Sequence, residues 1–221
     1  MPTTRCFYSF VGCMFIFFGL AGTDGWAQSR LIITLKDSQG NPLKDGVVML
    51  QPSADITIAS RVTKRDFAVQ QIDREFVPRI TVTGVGANVT FPNRDAVQHS
   101  VYSFSKAKAF EIPIYAGKSP QTITLDKAGL VTLGCNIHDW MVGYILIVDT
   151  PIAEVSAADG KVVVSDLPLG KYTLRVWHPQ LKSGEVSEPL DVSTSEQNIE
   201  VKVNLNPFRV RKKPARDSDV Y

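Results

Sequence analysis

Short runs in which apolar and polar residues alternate fill the chain from Leu31 onward, and no segment of any length has the period of an amphipathic helix. Turn-forming stretches such as 38–42 and 126–129 separate the runs. Runs predicted to be strands up to residue 149 are Leu31–Leu35, Gly46–Leu50, Ile80–Val82, Asn88–Phe91, His99–Phe104, Ile123–Leu125, Leu130–Leu133 and Tyr144–Val148. This regular spacing predicts an all-β antiparallel sandwich or barrel.

A second set of runs follows Pro151, which favours a domain boundary there. The predicted strands are Glu154–Ala157, Lys161–Ser165, Tyr172–Trp177, Pro189–Val192 and Asn198–Leu205. They indicate a smaller β-sandwich over residues 150–206. Its turn-rich segment 159–174 resembles the transthyretin-like and carboxypeptidase-regulatory-like modules that occur as accessory domains.

The first 27 residues have the organisation of a secretory signal peptide. Arg5 precedes an apolar stretch from Cys6 to Gly22, and the small-residue pattern Gly-Trp-Ala ends at Ala27. The apolar stretch is short and interrupted by glycines, whereas a membrane span needs about 20 continuous apolar residues. We therefore expect cleavage after Ala27, export of bacterial type to the periplasm, and no stable membrane span afterwards.

Charge says little about partners. The formal net charge of +2 gives no global basic field, so nucleic acid is not an expected partner. Residues 207–221 contain a cluster of basic side chains and are predicted to form a flexible solvated tail, with docking to an acidic partner or to lipid headgroups as the alternative. The sequence carries no signal for the oligomeric state.

Cysteine usage is more informative. Cys6 and Cys13 would leave with the signal peptide, so the exported chain would keep only Cys135 and could form no intrachain disulfide. A lone thiol in an oxidising compartment is a liability unless it is buried or bound to a metal. The residues around Cys135 are therefore the first place to look for chemistry.

Residues 134–141 read Gly-Cys-Asn-Ile-His-Asp-Trp-Met, so Cys135, His138 and Met141 lie close together directly after a predicted strand. Soft sulfur together with imidazole favours copper, and two histidines, one cysteine and a weak axial methionine form the ligand set of blue-copper sites. The second histidine has to come from elsewhere in the sequence, which leaves His99 and His178.

His99 follows an Asn-x-Asp loop at residues 93–95 and begins a predicted strand that reads His-Ser-Val. This arrangement, joined to Cys-x2-His-x2-Met at residues 135–141, resembles the cupredoxins, the blue-copper family of plastocyanin and amicyanin. The ligand loop has the short form of amicyanins, and residues 110–115 and 141–145 are similar to cupredoxin-domain proteins labelled methylamine utilization proteins. The resemblance spans residues 67–149 strongly and 150–206 weakly.

The resemblance implies a cupredoxin-like Greek-key sandwich over residues 28–149 that holds one type 1 copper ion through His99, Cys135, His138 and Met141. It implies single-electron transfer with a redox protein partner, such as a dehydrogenase or a cytochrome, and no catalytic activity. It further implies that the ring edge of His138 meets solvent inside an apolar patch that includes Pro92, Pro113 and Trp140.

Two departures from this pattern stay open at the level of sequence. Glu111 is a rival to Met141 for the axial position, and a carboxylate there would change the spectroscopic class and lower the potential. Where cupredoxins commonly have an asparagine after the first histidine, this chain has Ser100, so Asn93 or Asn136 is left to brace the cysteine loop.

Three other functions compete with electron transfer. Copper handling would use the same residues, but handling proteins tend to have Met-rich or His-rich tracts, which this chain lacks. A cysteine enzyme would need a histidine base that is oriented by a carboxylate, and none is evident. The chain could also be a non-catalytic binding module with a vestigial site. His178 is expected to stabilise the second sandwich beside Trp177.

Overall fold

The computed structural model describes residues 28–207, so the predicted signal peptide and residues 208–221 of the predicted basic tail lie outside the described residues. The all-β prediction is confirmed, because the described part of the chain consists of strands and their connections. No helix there is long and apolar enough to cross a membrane. The strands are β1 (Gln28–Asp37), β2 (Val47–Pro52), β3 (Phe67–Ala68), β4 (Gln70–Ile72), β5 (Glu75–Val77), β6 (Ile80–Gly84), β7 (Ala87–Thr90), β8 (His99–Phe104), β9 (Ala109–Tyr115), β10 (Ile123–Leu125), β11 (Gly129–Gly134), β12 (Val142–Val148), β13 (Ile152–Val155), β14 (Lys161–Pro168), β15 (Gly170–Trp177), β16 (Glu185–Val192) and β17 (Glu196–Val203).

The middle of the chain forms what we call the central sandwich. One sheet has the strand order β6-β12-β11-β8-β9, and the smaller sheet facing it has the order β10-β7-β3. Inward side chains of both sheets, among them Val89, Val101, Ile112 and Leu133, share one buried core. Cys135 and Met141 belong to this same core.

Both ends of the described chain form the flanking sandwich. Its sheets have the orders β14-β1-β17 and β13-β2-β15-β16. This grouping differs from the predicted division into residues 28–149 and 150–206. Strands β1 and β2 pair with C-terminal strands, so the central sandwich begins only near residue 67. The reason is physical: an alternating run such as that of β1, which buries Leu31, Ile33 and Leu35, fits the inner face of either sandwich, and only long-range pairing selects one.

Strands β2 and β12 are buried on both faces and join the two sandwiches. Along β12, Ile145 and Ile147 face the central core, whereas Leu146 and Val148 face the other way. Those two pack with Met49 and Trp177 in a third cluster that lies between the sandwiches. Burial on both faces explains why these two strands are continuous apolar runs and do not alternate.

Strand order also brings the predicted ligands to one edge of the central sandwich. β11 ends at Gly134 and its antiparallel neighbour β12 begins at Val142, and these two residues pair with each other. The loop 135–141 is therefore a hairpin connection at that edge. β8 runs antiparallel to β11 on its other side, through Gly134↔Tyr102. The start of β8, where His99 lies, is therefore next to the end of β11, where Cys135 follows.

Candidate metal centre

The loop between β11 and β12 holds two of the predicted ligands in buried positions. Cys135 is 3% exposed and His138 is 7% exposed. The loop is closed by a hydrogen bond from the Met141 amide to the His138 carbonyl, at 2.9 Å. It can begin this tightly because Gly134 has no side chain: a Cβ there would lie 2.5 Å from the Tyr102 ring.

His99 reaches the same point from β8 with the help of a β-bulge. The register of β8 against β9 shifts between His99 and Val101, and this irregularity lets the consecutive residues His99 and Ser100 both be buried. In a regular strand, their side chains would point to opposite faces. Bulges often turn a side chain toward a functional site in this way.

The three side chains form one compact donor group. The ligand atoms of His99, Cys135 and His138 all lie within 4.8 Å of one another. The two Nδ1 atoms of the histidines are 3.1 Å apart, and Cys135 Sγ is 4.0 Å from His138 Nδ1. The prediction that His99, and not His178, completes the set of two histidines and one cysteine therefore agrees with the position of all three in space.

The other ring nitrogen of His99 faces a carboxylate. His99 Nε2 lies 2.7 Å from Asp95 Oδ2. Because a carboxylate only accepts, this contact assigns the proton of the neutral ring to Nε2 and leaves the Nδ1 lone pair directed at Cys135 and His138. That is the tautomer in which Nδ1 can bind a metal.

These distances suit a metal ion. Metal–nitrogen bonds of about 2.0 Å and metal–sulfur bonds of about 2.3 Å separate neighbouring ligand atoms by roughly 3.3 to 3.8 Å in tetrahedral or trigonal geometry. Two of the three observed separations, 3.1 Å and 4.0 Å, bracket that range, and all three are within 4.8 Å. Two imidazole nitrogens and a cysteine sulfur converge in one buried place, and this donor set fits a cation.

The electrostatics of the group favour a thiolate. Burial acts to raise the pKa of Cys135, but hydrogen bonds with His99, with the Ile137 and Ser100 amides and with His138 lower it to about 6. Burial acts to lower the pKa of His99, whereas its hydrogen bonds with Cys135 and Asp95 raise it above the usual value. A thiolate is the form of cysteine that binds metals.

Ser100, which stands where the family pattern has an asparagine, braces the cysteine loop itself, a role for which the sequence left Asn93 or Asn136 as candidates. The Ser100 hydroxyl donates to Cys135 Sγ at 3.8 Å and accepts from the Asn136 amide at 2.9 Å. The Asn93 side chain instead donates to the carbonyls of Val97 and Tyr115, and so organises the loop before His99. Two sequence features could have predicted this role of Ser100. It is adjacent to His99, and its hydroxyl has one donor and two acceptor sites.

The remaining predicted residues are placed as follows. Met141 is 1% exposed and belongs to the same core cluster as Cys135. Glu111 has an exposed side chain on β9, in register with Tyr102, and is not part of the donor group. His178 is buried in the flanking sandwich, where its Nδ1 accepts from the Gln180 amide.

Trp140 covers His138 on its outer side. The two rings are 5.1 Å apart between centroids and tilted by 55°. Trp140 is half-buried, while Ile137 beside it is 40% exposed. Of the apolar patch that the resemblance implies, Pro113 is exposed and Pro92 is half-buried.

A second polar network surrounds Tyr115, the residue on β9 that is in register with His99. The Tyr115 hydroxyl donates to the Phe91 carbonyl, and Gln71 Nε2 donates to the same carbonyl at 3.1 Å and to the Tyr115 hydroxyl at 2.5 Å. Burial raises the pKa of Tyr115 to about 12, so its phenol stays protonated. The network therefore links the β9 residue in register with His99 to Phe91, which follows β7, and to Gln71 on β4.

No protein-family model matches the chain, and no curated protein matches it either. Among solved structures, a copper-containing nitrite reductase from Thermus scotoductus SA-01 is 23% identical over 45% of this chain and 25% of its own, with a TM-score of 0.36. A reduced amicyanin variant is 18% identical over 47% of this chain and 99% of its own, with a TM-score of 0.35. A purple cupredoxin from Nitrosopumilus maritimus is 20% identical over 38% of this chain and 99% of its own, with a TM-score of 0.33.

The chain thus spans about a quarter of the nitrite reductase and nearly all of the small copper proteins. These structural neighbours are cupredoxins or contain copper by name. All three TM-scores are below 0.5, and the chemistry proposed below therefore rests on the donor atoms of this chain.

Proposed function

We propose that this protein is a type 1 copper protein of the cupredoxin kind that carries single electrons between redox partners in the periplasm. The observation on which this rests is the buried group of two imidazoles and one cysteine sulfur, within 4.8 Å of one another. Two histidines and one cysteine with a weak axial thioether are the ligand set of electron-transfer copper sites. His99, Cys135 and His138 are the proposed ligands, and Met141 is the proposed axial ligand.

The chain holds its proposed ligands in place by itself. His99 is fixed by the Asp95 carboxylate, Cys135 by the Ser100 hydroxyl, and His138 by the backbone bond that closes the loop. A bound copper ion would supply a one-electron couple, Cu(I)/Cu(II), at this place. Ligands that need not move between two oxidation states favour fast electron exchange, and this fixed geometry is the support for a carrier.

Burial of all three donors argues against two of the competing functions, copper handling and a cysteine enzyme. A copper-handling protein exchanges its ion with other ligands and needs donors that a partner can approach, whereas His99 is 0% exposed and Cys135 is 3% exposed. The expectation that no carboxylate orients a histidine is wrong, because Asp95 holds His99 beside Cys135. A cysteine enzyme still needs its sulfur open to substrate, which the burial of Cys135 opposes. We therefore propose a role in electron transfer without catalytic activity.

Met141 is the better axial candidate on two grounds. Its side chain is in the apolar core that surrounds Cys135, and its backbone is bonded to His138. Glu111 is exposed, and its carbonyl accepts a bond from the Gln121 side chain on the outer surface of β9. A thioether in a buried apolar place fits the weak axial interaction of blue-copper sites.

His138 and Trp140 together suggest where electrons enter and leave. His138 is the proposed ligand nearest the surface, and the half-buried Trp140 ring lies against it. Ile137 and Pro113 add exposed apolar surface at this edge. A partner such as a dehydrogenase or a cytochrome would dock on this edge, and export by the predicted signal peptide would bring the protein to the periplasm.

Copper titration tests the proposal directly. Cu(II) is added to the purified protein, and the visible absorption and electron paramagnetic resonance spectra are recorded. We expect one equivalent to produce an intense thiolate-to-copper band and reversible one-electron redox behaviour. Absence of the band, or tight Cu(I) binding without reversible redox chemistry, would reject the carrier.

Matched variants assign the ligands. Cys135→Ser and His99→Gln should abolish the band, while His178→Gln, which alters the buried histidine of the flanking sandwich, should keep it. Met141→Leu should shift the spectrum and raise the potential, whereas Met49→Leu, a buried methionine between the sandwiches, should change neither. A spectrum that responds to Glu111→Gln and not to Met141→Leu would transfer the axial role to Glu111.

A further inference from the structure

The carboxylate of Asp95 lies between the proposed copper ligand His99 and a separate hairpin. On one side, Asp95 Oδ2 accepts from His99 Nε2 at 2.7 Å. The His99 side chain is 0% exposed and the Asp95 side chain is 12% exposed, so solvent screens this contact little. On the other side, the carboxylate faces the turn between β4 and β5.

That turn supplies two further donors. The Asp73 amide donates to Asp95 Oδ1 at 2.7 Å, and the Arg74 amide donates to Asp95 Oδ2 at 2.8 Å. With the ring N–H of His99, three donors therefore converge on one carboxylate. Three such bonds fix the carboxylate plane, and with it the direction from which His99 is held.

The conformation of the turn is itself unusual. Asp73 and Arg74 have φ angles of +53° and +56°, as a two-residue type I′ hairpin requires. Such turns favour Asn-Gly, because residues with a Cβ are disfavoured in the left-handed region. Here neither residue is glycine, and both amides of the turn donate to Asp95.

The hairpin is joined to the loop before His99 at a second place. The Gln71 amide donates to the Pro92 carbonyl at 3.0 Å, and the Arg94 amide donates to the Gln71 carbonyl at 2.9 Å. Gln71 is thereby paired with Asn93 in a single parallel β-bridge outside the main sheets. The hairpin and residues 92–95 thus form one connected unit behind His99.

We propose that Asp95 is a positioning residue that tunes the metal centre, and that the β4–β5 turn sets its position through the amides of Asp73 and Arg74. This rests on the proposed function. A carboxylate that accepts from the distal nitrogen of a ligating imidazole fixes its tautomer and makes it a more basic ligand. A more basic ligand stabilises Cu(II) relative to Cu(I), so Asp95 lowers the reduction potential.

Asp95→Asn is the main test, because asparagine has the same shape but no charge and only one oxygen. In the copper-loaded protein, we expect a higher reduction potential than in the wild type. Asp126→Asn removes the same charge from an exposed carboxylate that pairs with Lys108, and serves as the matched control. A shift in Asp95→Asn no larger than that in Asp126→Asn would overturn the proposal.

A metal-free measurement separates this proposal from the copper hypothesis. In the apo protein, hydrogen exchange at the Asp73 and Arg74 amides should accelerate by about tenfold or more in Asp95→Asn, since a charge-assisted bond is lost. The ¹⁵N shifts of the His99 ring should report Nε2 protonation in the wild type. If the wild type binds no copper, the proposed function fails, while unchanged exchange or the other tautomer would reject the positioning role alone.

Two more variants keep the test decisive if Asp95→Asn does not fold. Asp95→Glu retains the charge but lengthens the side chain, so the turn amides should exchange faster while the potential stays nearer to the wild type. The double variant Asp73→Asn with Arg74→Gly suits the turn and keeps both amides, so it should leave the potential unchanged. A potential that moves as far in this double variant as in Asp95→Asn would contradict the role of the amides.

Discussion

Replacing Ser100 with alanine removes a single hydroxyl that has two partners. Ser100 is 0% exposed, and its oxygen accepts from the Asn136 amide at 2.9 Å while its proton points to Cys135 Sγ at 3.8 Å. In Ser100→Ala, the Asn136 amide loses its acceptor in a partly buried position. An orphaned amide costs about 1–3 kcal/mol, and we expect the free energy of unfolding of the apo protein to fall by that amount.

The same change should alter the copper centre. A hydroxyl that donates to the thiolate withdraws electron density from sulfur and weakens its bond to Cu(II), so its loss should lower the reduction potential. It should also shift the thiolate-to-copper band. Urea denaturation measures the effect on stability, and a redox titration followed by visible absorption measures the effect on the potential.

Ser103→Ala is a closely matched control. Ser103 is on the same strand, is equally buried, and its hydroxyl accepts from the Ser105 amide at 3.2 Å. We expect a similar loss of stability from Ser103→Ala but no change of potential or spectrum. If both variants leave the copper centre unchanged, or both change it equally, the role assigned to Ser100 is refuted.

Three other changes test the surrounding structure. Gly134→Ala would place a Cβ 2.5 Å from the Tyr102 ring, so denaturation should show a loss of about 1–3 kcal/mol, and an unchanged midpoint would contradict this. Trp177→Ala should cost about 3–5 kcal/mol by opening a cavity between the sandwiches, with the copper spectrum preserved; a loss below about 1 kcal/mol would show that the cluster does not bind them together. Burial lowers the pKa of His178, whose Nδ1 accepts from the Gln180 amide, so the neutral ring is favoured in the folded state. Stability relative to His178→Gln should therefore fall as the pH drops below about 6.5, and parallel pH profiles of the two proteins would refute it.

Much of the candidate site is predictable from residue chemistry alone. One thiol remains once the predicted signal peptide is set aside, and this points to Cys135 and its loop neighbour His138, whereas the choice of His99 over His178 is what the resemblance to cupredoxins implies. The fold brings their ligand atoms within 4.8 Å of one another. The axial role of Met141 stays a prediction, although its burial beside Cys135 agrees with it.

The supporting residues are not predictable in this way, because their roles depend on contacts between distant segments. Ser100 reaches Cys135 only because a bulge shifts the register of β8. Asp95 is recognisable as part of an Asn-x-Asp loop, but nothing in the sequence pairs it with the Asp73 and Arg74 amides. The short strands β3, β4 and β5 have too few residues for an alternating pattern to be read.

The all-β class, most strand positions and the candidate metal donors of the loop 135–141 follow from local properties of the chain. These properties are the alternation of apolar residues, the turn residues and the kinds of side chain in one loop. Which sandwich β1 and β2 join, and how His99 and Ser100 both turn toward Cys135, depends instead on the folded molecule. Several segments have similar apolar patterns, so a local run of residues does not determine which strands pair. Packing across the whole molecule determines it.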